Sequence, residues 1–169
     1  MMLRILFILL ILIYPVSTKA QNGIFFLDVD YLINNSDLGK KMVNKLKKIN
    51  DQNISKFKKY ETNLKKKDEE INKIKNIITK EELNIKIQNL TSEISQYNEN
   101  KDKILKEYNE LKNSELESFF NKISPLIEEY MEINSIQFIL DKKNIFIANT
   151  NYDITNNLIK FLNKKIKND

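Results

Sequence analysis

A stripe of apolar positions with helical spacing runs through the middle of the chain. From Leu83 to Leu111 the stripe advances in alternating steps of four and three residues, and Lys101 is its single charged member. Such spacing is typical of a helix that packs lengthwise against another helix. The positions are Leu83, Ile87, Leu90, Ile94, Tyr97, Lys101, Ile104, Tyr108 and Leu111. Because a stripe of this length cannot stay exposed, a partner helix is required.

A second stripe upstream supplies the partner. It runs from Met42 to Ile78 and slips once near Phe57, as a stutter in a coiled coil would. Its positions are Met42, Leu46, Ile49, Asn53, Phe57, Tyr60, Leu64, Lys67, Ile71, Ile74 and Ile78. The two stripes predict two long helices, at about 38–78 and 79–123, that form an antiparallel hairpin.

The turn of the predicted hairpin falls at Thr79. Thr79 and Glu82 fit the T-x-x-E capping box, and Ile78 and Leu83 fit the hydrophobic staple that accompanies it. We therefore expect these four residues to form the cap at the tip of the arms. The alternative is one continuous helix with no turn at this point.

Short apolar segments on both sides of the hairpin indicate a small body that contains β-structure. Residues 24–29 predict one strand, and residues 136–141 and 145–148 predict two more, joined as a β-hairpin. Ser124 and Pro125 suit the start of a new helix or a kink. The predicted fold class is mostly α with a small β body (α+β), from which the long antiparallel helical hairpin projects.

The predicted organisation is discontinuous in sequence. Residues 21–37 and 123–169 form the oligomerisation body, and residues 38–122 form the coiled-coil arms inserted in it. Residues 1–20 are typical of a secretory signal peptide, because Arg4 precedes nine consecutive apolar residues and small residues stand before Gln21. An uncleaved anchor is the alternative. The signal predicts export from the cytoplasm. No later segment approaches the ~20 apolar residues of a membrane span, so the mature chain is expected to be soluble outside the cytoplasm.

Self-association is expected of the body. Both faces of its predicted strands carry apolar side chains, so both sides of the sheet should be covered. A body this small has little material to cover them, and a symmetric homo-oligomer would do so. The expected core of the oligomer consists of Phe26, Leu27, Val29, Phe138, Leu140, Ile145 and Ile147.

Charge is divided between the two arms. Residues 38–80 carry 14 Lys against five acidic residues, whereas residues 81–134 carry six Lys against 12 acidic residues. One interpretation is ion pairing across the hairpin, and the other is a Lys-rich surface that faces a partner. The two are compatible. The lysines expected to face such a partner are Lys58, Lys59, Lys65, Lys66, Lys67, Lys73 and Lys75.

The residue types present exclude most chemistry. The chain has no His and no Cys, so the commonest acid–base, nucleophilic and metal sites lack their residues. Asp28 and Asp30 are more simply explained by the strand-to-helix turn than by a carboxylate pair. We therefore predict a non-enzyme with no catalytic residue, cofactor or metal. Nucleic acid is not expected as a partner either, because an exported protein has little opportunity to meet it. Arg4, the only Arg, lies in the signal segment, so none remains for base contacts.

Four segments together resemble a known family. They are residues 24–40, with Val29–Asp30 and the Ser36, Gly39, Lys40 pattern; residues 78–83; residues 125–155, with Leu140–Asp141 before a turn; and residues 157–164. Their order is similar to that of the Skp/OmpH family of periplasmic chaperones. One departure is the Asn134–Ser135–Ile136 segment, where the family often has a glycine turn.

The resemblance implies an assembly and a function. It implies a homotrimer in which three bodies form a small barrel and three hairpins surround a cavity. It further implies an ATP-independent periplasmic holdase that binds unfolded outer-membrane β-barrel proteins and prevents their aggregation. A structural or adaptor coiled coil that grips one folded partner of the envelope is the alternative hypothesis. An anionic lipid surface is a further candidate partner of the Lys-rich arm.

Overall fold

Two long helices dominate the computed structural model, which describes residues 23–167. The elements are strand β1 (Gly23–Leu27), helix α1 (Val29–Asn35), helix α2 (Asp37–Ile74), helix α3 (Lys80–Ile133), strand β2 (Ile136–Asp141) and helix α4 (Thr155–Ile166). Short 3-10 turns at Lys142–Asn144 and Thr150–Tyr152 connect β2 to α4. The predicted signal peptide lies outside the described residues.

The antiparallel hairpin of α2 and α3 confirms the predicted fold class. At about 1.5 Å per residue, α2 is about 57 Å long. Most predicted stripe positions are half-buried in the seam between the helices, whereas Tyr60, Ile87 and Ile94 remain exposed. Helix α2 ends at Ile74, four residues earlier than expected, and the alternative of one continuous helix is wrong.

Ser36 joins α1 to α2 without an intervening loop. It ends α1 and is also the N-cap of α2, where its Oγ accepts a hydrogen bond from the backbone N–H of Gly39 at 3.2 Å. A hydroxyl at this position satisfies one of the N–H groups that the first turn of a helix leaves unpaired. The chain therefore turns from the body into the arms within a single residue.

The second arm continues into the body without a break, so the predicted helix start at Ser124 is wrong. Pro125 lies inside α3, and Ser124 donates its hydroxyl to the carbonyl of Phe120 at 2.7 Å instead of capping a new helix. Proline has no N–H to bond the preceding turn, but Ile123 near it is fully buried and packs in the core, so this part of α3 is held by tertiary contacts.

The sheet has two strands, and they are parallel. β1 pairs with β2 in a register that places Ile24 opposite Phe138 and Phe26 opposite Leu140. The predicted β-hairpin is wrong, because residues 145–148 form no strand in the described chain. Parallel strands need a long crossover, and here the whole helical hairpin provides it.

Helices build most of the core of a single chain. Leu32 of α1, Ile123 of α3, and Leu158 and Leu162 of α4 are completely inaccessible to solvent, and Leu27 of β1 packs against the same cluster. Leu158, Ile159 and Leu162 form the buried inner face of α4. This core forms at the place where the arms join the sheet.

Candidate functional site

The sheet leaves large apolar side chains uncovered in the single chain. Phe138 and Leu140 on β2 are 61% and 46% exposed, and Ile24, which lies opposite Phe138, is 58% exposed. Residues two apart on a strand point to the same face, so Phe138 and Leu140 form one continuous surface. A surface of this kind is typical of an interface rather than of a free monomer.

The segment after β2 extends this surface. Phe146 is fully exposed and Ile147 is 84% exposed. Beside them is a groove of about 500 Å³ between β1 and the segment before α4. The groove is lined by Gly23, Ile24, Phe25, Phe26, Leu140, Ile145, Ala148, Asn149 and Tyr152. We call Ile24, Phe138, Leu140, Phe146 and Ile147 the exposed apolar face.

The residues expected in the oligomer core occupy different environments in one chain. Phe26 and Leu27 are buried, and Val29, which begins α1 instead of ending a strand, is half-buried, as is Ile145. The expected contribution of all seven residues to a shared core stays a prediction. The buried residues Leu158, Ile159 and Leu162 of α4 are not among the seven, although their helical spacing indicates a buried face.

The arms carry the predicted lysine surface. Lys58, Lys59, Lys65, Lys66, Lys73 and Lys75 are all exposed. Lys67 differs, because its Nζ lies 2.5 Å from Glu93 of α3 and it is half-buried at the seam. Lys67 therefore contributes to the hairpin itself, and the other six are accessible to a partner.

Ion pairs connect the two arms at three levels. They are Lys45–Glu115 near the root at 2.7 Å, Glu61–Lys101 in the middle at 3.0 Å, and Lys67–Glu93 towards the tip at 2.5 Å. Most of the lysines on α2 have no such partner among the described residues. The predicted pairing across the hairpin thus exists, but it leaves a basic surface on α2.

The middle pair belongs to a polar and aromatic network at the seam. The Tyr97 hydroxyl donates to Glu61 at 2.5 Å, and Lys101 Nζ lies 5.5 Å from the centre of the Phe57 ring. The bonds from Tyr97 and then Lys101 lower the pKa of Glu61. Desolvation and the bond to Glu61 raise the pKa of Tyr97, and the bond to Glu61 raises that of Lys101. The charged carboxylate and ammonium groups therefore stabilise each other here.

The tip has the cap geometry that its sequence suggests. Thr79 is the N-cap of α3: its Oγ1 accepts from the N–H of Glu82 at 3.2 Å, and the Glu82 carboxylate accepts from the N–H of Thr79 at 3.0 Å. Ile78 and Leu83 beside this cap are half-buried. The hydrogen bond from the backbone of Thr79 is the main cause of the lowered pKa of Glu82.

Neither a metal-binding cluster nor a membrane-spanning helix is found among the described residues. Among residues 23–167, no group of three or more His, Cys, Asp or Glu side chains is placed to hold a metal ion. No helix in this range is long and apolar enough to cross a membrane. The exposed apolar face and the exposed lysines of the arms are both accessible to a partner.

Together these features define a class: a helical-hairpin protein whose arms project from a small body with an uncovered sheet. The family model described as outer membrane protein (OmpH-like) matches residues 23–162. The chain therefore belongs to the OmpH-like (Skp) family of outer membrane protein chaperones, which are not enzymes.

A solved structure has the same fold. The OmpH-like protein of Caulobacter crescentus CB15 superposes with a TM-score of 0.73 at 19% sequence identity, and the alignment covers 86% of each chain. At this identity the likeness concerns the fold alone. The comparison with curated proteins found no match.

Proposed function

We propose that the chain is an ATP-independent holdase of the periplasm that binds unfolded outer-membrane β-barrel proteins between its arms. Membership of the OmpH-like family and the projecting hairpin support the proposal. Unfolded barrel proteins expose apolar side chains and open strand edges, which aggregate. Arms that surround such a chain keep it away from other copies.

The proposed assembly is a homotrimer formed through the body. The observation that carries it is the exposed apolar face, because a single chain leaves Phe138 and Ile147 in water. Three copies that meet through this face would bury it and direct three hairpins to one side. Closed symmetry would then create a cavity between the arms.

The six exposed lysines of the arms are the proposed contacts to the client. A lysine has an apolar stem and a charged end, which suits clients of mixed polarity. Many weak contacts in one cavity reach useful affinity through effective concentration and still allow release. An anionic lipid surface is a second proposed partner of the same lysines.

Two measurements test the proposal. The chain without residues 1–20 should have the mass of a trimer in sedimentation, and it should suppress the light scattering of a diluted, unfolded barrel protein. Phe138→Asp should give monomers, because it places an unpaired charge in the shared core. Gln137→Asp, at the exposed neighbouring position, is the matched control and should remain trimeric.

Two results would contradict the proposal. A Phe138→Asp variant with the mass of the wild type would reject the exposed apolar face as the interface. If excess protein left the scattering unchanged and a pull-down gave one stoichiometric folded partner, the protein would be an adaptor coiled coil instead.

A further inference from the structure

Helix α4 is fastened to the sheet at its N-terminal end. The Oγ1 of Thr155 accepts a hydrogen bond from the backbone N–H of Asp28 at 2.9 Å. Just before it, the N–H of Ile154 donates to the carbonyl of Phe26 at 3.0 Å. Both bonds reach the end of β1, which contributes Ile24 to the exposed apolar face and pairs with β2, the strand that contributes Phe138 and Leu140. The start of α4 is therefore bonded to the sheet that carries this face.

The C-terminal half of α4 is hydrogen-bonded to the start of α2 and ion-paired with α3. The Oδ1 of Asn163 accepts a hydrogen bond at 2.8 Å from the backbone N–H of Asp37, the first residue of α2. Lys165 pairs with Glu129 near the end of α3. One turn of α4 thus contacts the first residue of α2 and the last two turns of α3, which lie in the body.

Buried contacts make α4 a stiff connection between these two ends. Leu158 and Leu162 are completely buried between them, and the Phe161 ring packs edge-on against Tyr130 of α3 with centroids 5.3 Å apart. A helix of 12 residues held along its length transmits a displacement at one end to the other.

We propose that Asn163 is a positioning residue that sets the angle at which the arms leave the body. The N–H groups in the first turn of a helix point along its axis and lack partners within the helix, so an acceptor fixed on another element constrains the direction of that helix. Asn163 supplies such an acceptor to α2 and sits on α4, which is anchored on β1. Arm angle and oligomer assembly are therefore coupled through α4, and the width of the cavity in the proposed chaperone depends on this bond.

Spin labels can measure the angle directly, since the chain has no Cys of its own. One label is placed on the arm by Lys58→Cys and one on the body by Asn144→Cys, both at exposed sites. Labelled chains are diluted with unlabelled chain so that each assembly carries one pair. We expect one narrow distance distribution with Asn163 and a broad one, without a single maximum, for Asn163→Ala.

Three further samples separate positioning from a general loss of structure. Asn163→Asp keeps the acceptor oxygen and should restore the narrow distribution. Asn157→Ala, at an exposed position on the same helix, should leave it unchanged. A label pair within the arms, Lys58→Cys with Asp102→Cys, should give the same distance in Asn163→Ala as in the wild type.

A narrow distribution in Asn163→Ala, or a broad one in Asn163→Asp, would overturn the proposal. If Asn163→Ala does not fold, Asn163→Leu replaces it, because leucine keeps the volume and removes the acceptor, and the same distributions decide. The inference rests on the proposed function only for the role of the cavity. The spin-label distances are measured without a client protein. A failed chaperone assay and a failed positioning role are therefore distinguishable.

Discussion

Ser135 adopts a backbone conformation that side chains normally avoid. Its φ is 53°, and it follows Asn134, the C-cap of α3, at the position where a left-handed residue terminates many helices. Glycine takes this conformation without the steric cost that Cβ imposes.

We expect Ser135→Gly to stabilise the protein by about 0.5 kcal/mol, since the relief of strain exceeds the added entropy of the unfolded chain. The midpoint of urea unfolding should rise without a change in slope. A lower midpoint would mean that the serine makes a compensating contact.

Gly39 lies where there is no room for a side chain. A Cβ at this position would lie 2.0 Å from the carbonyl oxygen of Ile33, which is backbone and cannot give way cheaply. The close approach of α1 to the first turn of α2 therefore depends on glycine.

Gly39→Ala should destabilise the protein by about 2 kcal/mol through overpacking. At an unconstrained helical site the same change stabilises by about 1 kcal/mol, so the sign is diagnostic. Thermal unfolding followed by circular dichroism measures it, and Asn44→Ala, at an exposed site on α2, is the control that should not lose stability. A more stable Gly39→Ala variant would contradict the close packing of α1 against the first turn of α2.

Among the elements, the turn at the tip depends on its cap. Thr79→Ala removes the acceptor of the Glu82 N–H and should destabilise the start of α3 by about 1 kcal/mol. Hydrogen exchange of the amides in the first turn should quicken, whereas Thr79→Ser should retain the protection of the wild type. Equal exchange in all three proteins would show that the cap is dispensable.

The hairpin also has a titratable contact in its middle, at Glu61. Because its pKa is lowered, the ionised form stabilises the folded hairpin above the ordinary value of 4.5, and this contribution is lost as pH falls through the lower folded-state value. Glu61→Gln should therefore melt below the wild type at neutral pH, and the gap should close on acidification below pH 4.5. Glu117→Gln, a change of the same kind at an exposed position of α3, is the matched control. If the difference in melting temperature between Glu61→Gln and the wild type did not change with pH, the variant would be destabilised through packing and not through charge.

For the whole molecule, the charge on the arms decides how clients are held in the proposed function. Replacing Lys58, Lys59, Lys65 and Lys66 by Gln should weaken the suppression of scattering and reduce its dependence on salt, because screened attractions disappear. Replacing four exposed lysines of α3, Lys86, Lys103, Lys106 and Lys112, by Gln is the matched control. Equal losses in both variants would mean that the side of the hairpin does not matter.

Short-range sequence patterns were sufficient to predict the two arms. The heptad stripes required two packed helices, and the Thr79–Glu82 pair marks the turn because a capping box uses residues only three apart. The predictions that the structure contradicts involve segments whose partners are remote. Residues 145–148 have the composition of a strand, but β2 pairs with β1, more than 100 residues away, and not with them.

Sequence by itself therefore determined the helical hairpin, its turn and its distribution of charge, since these depend on periodicity and on neighbours within one or two turns. Tertiary structure alone decided that β1 and β2 are parallel, that α3 continues through Pro125, and that Asn163 bonds the first turn of α2. Each of these joins residues far apart in the chain. Which of them meet depends on the packing of the whole core, and no local pattern encodes it.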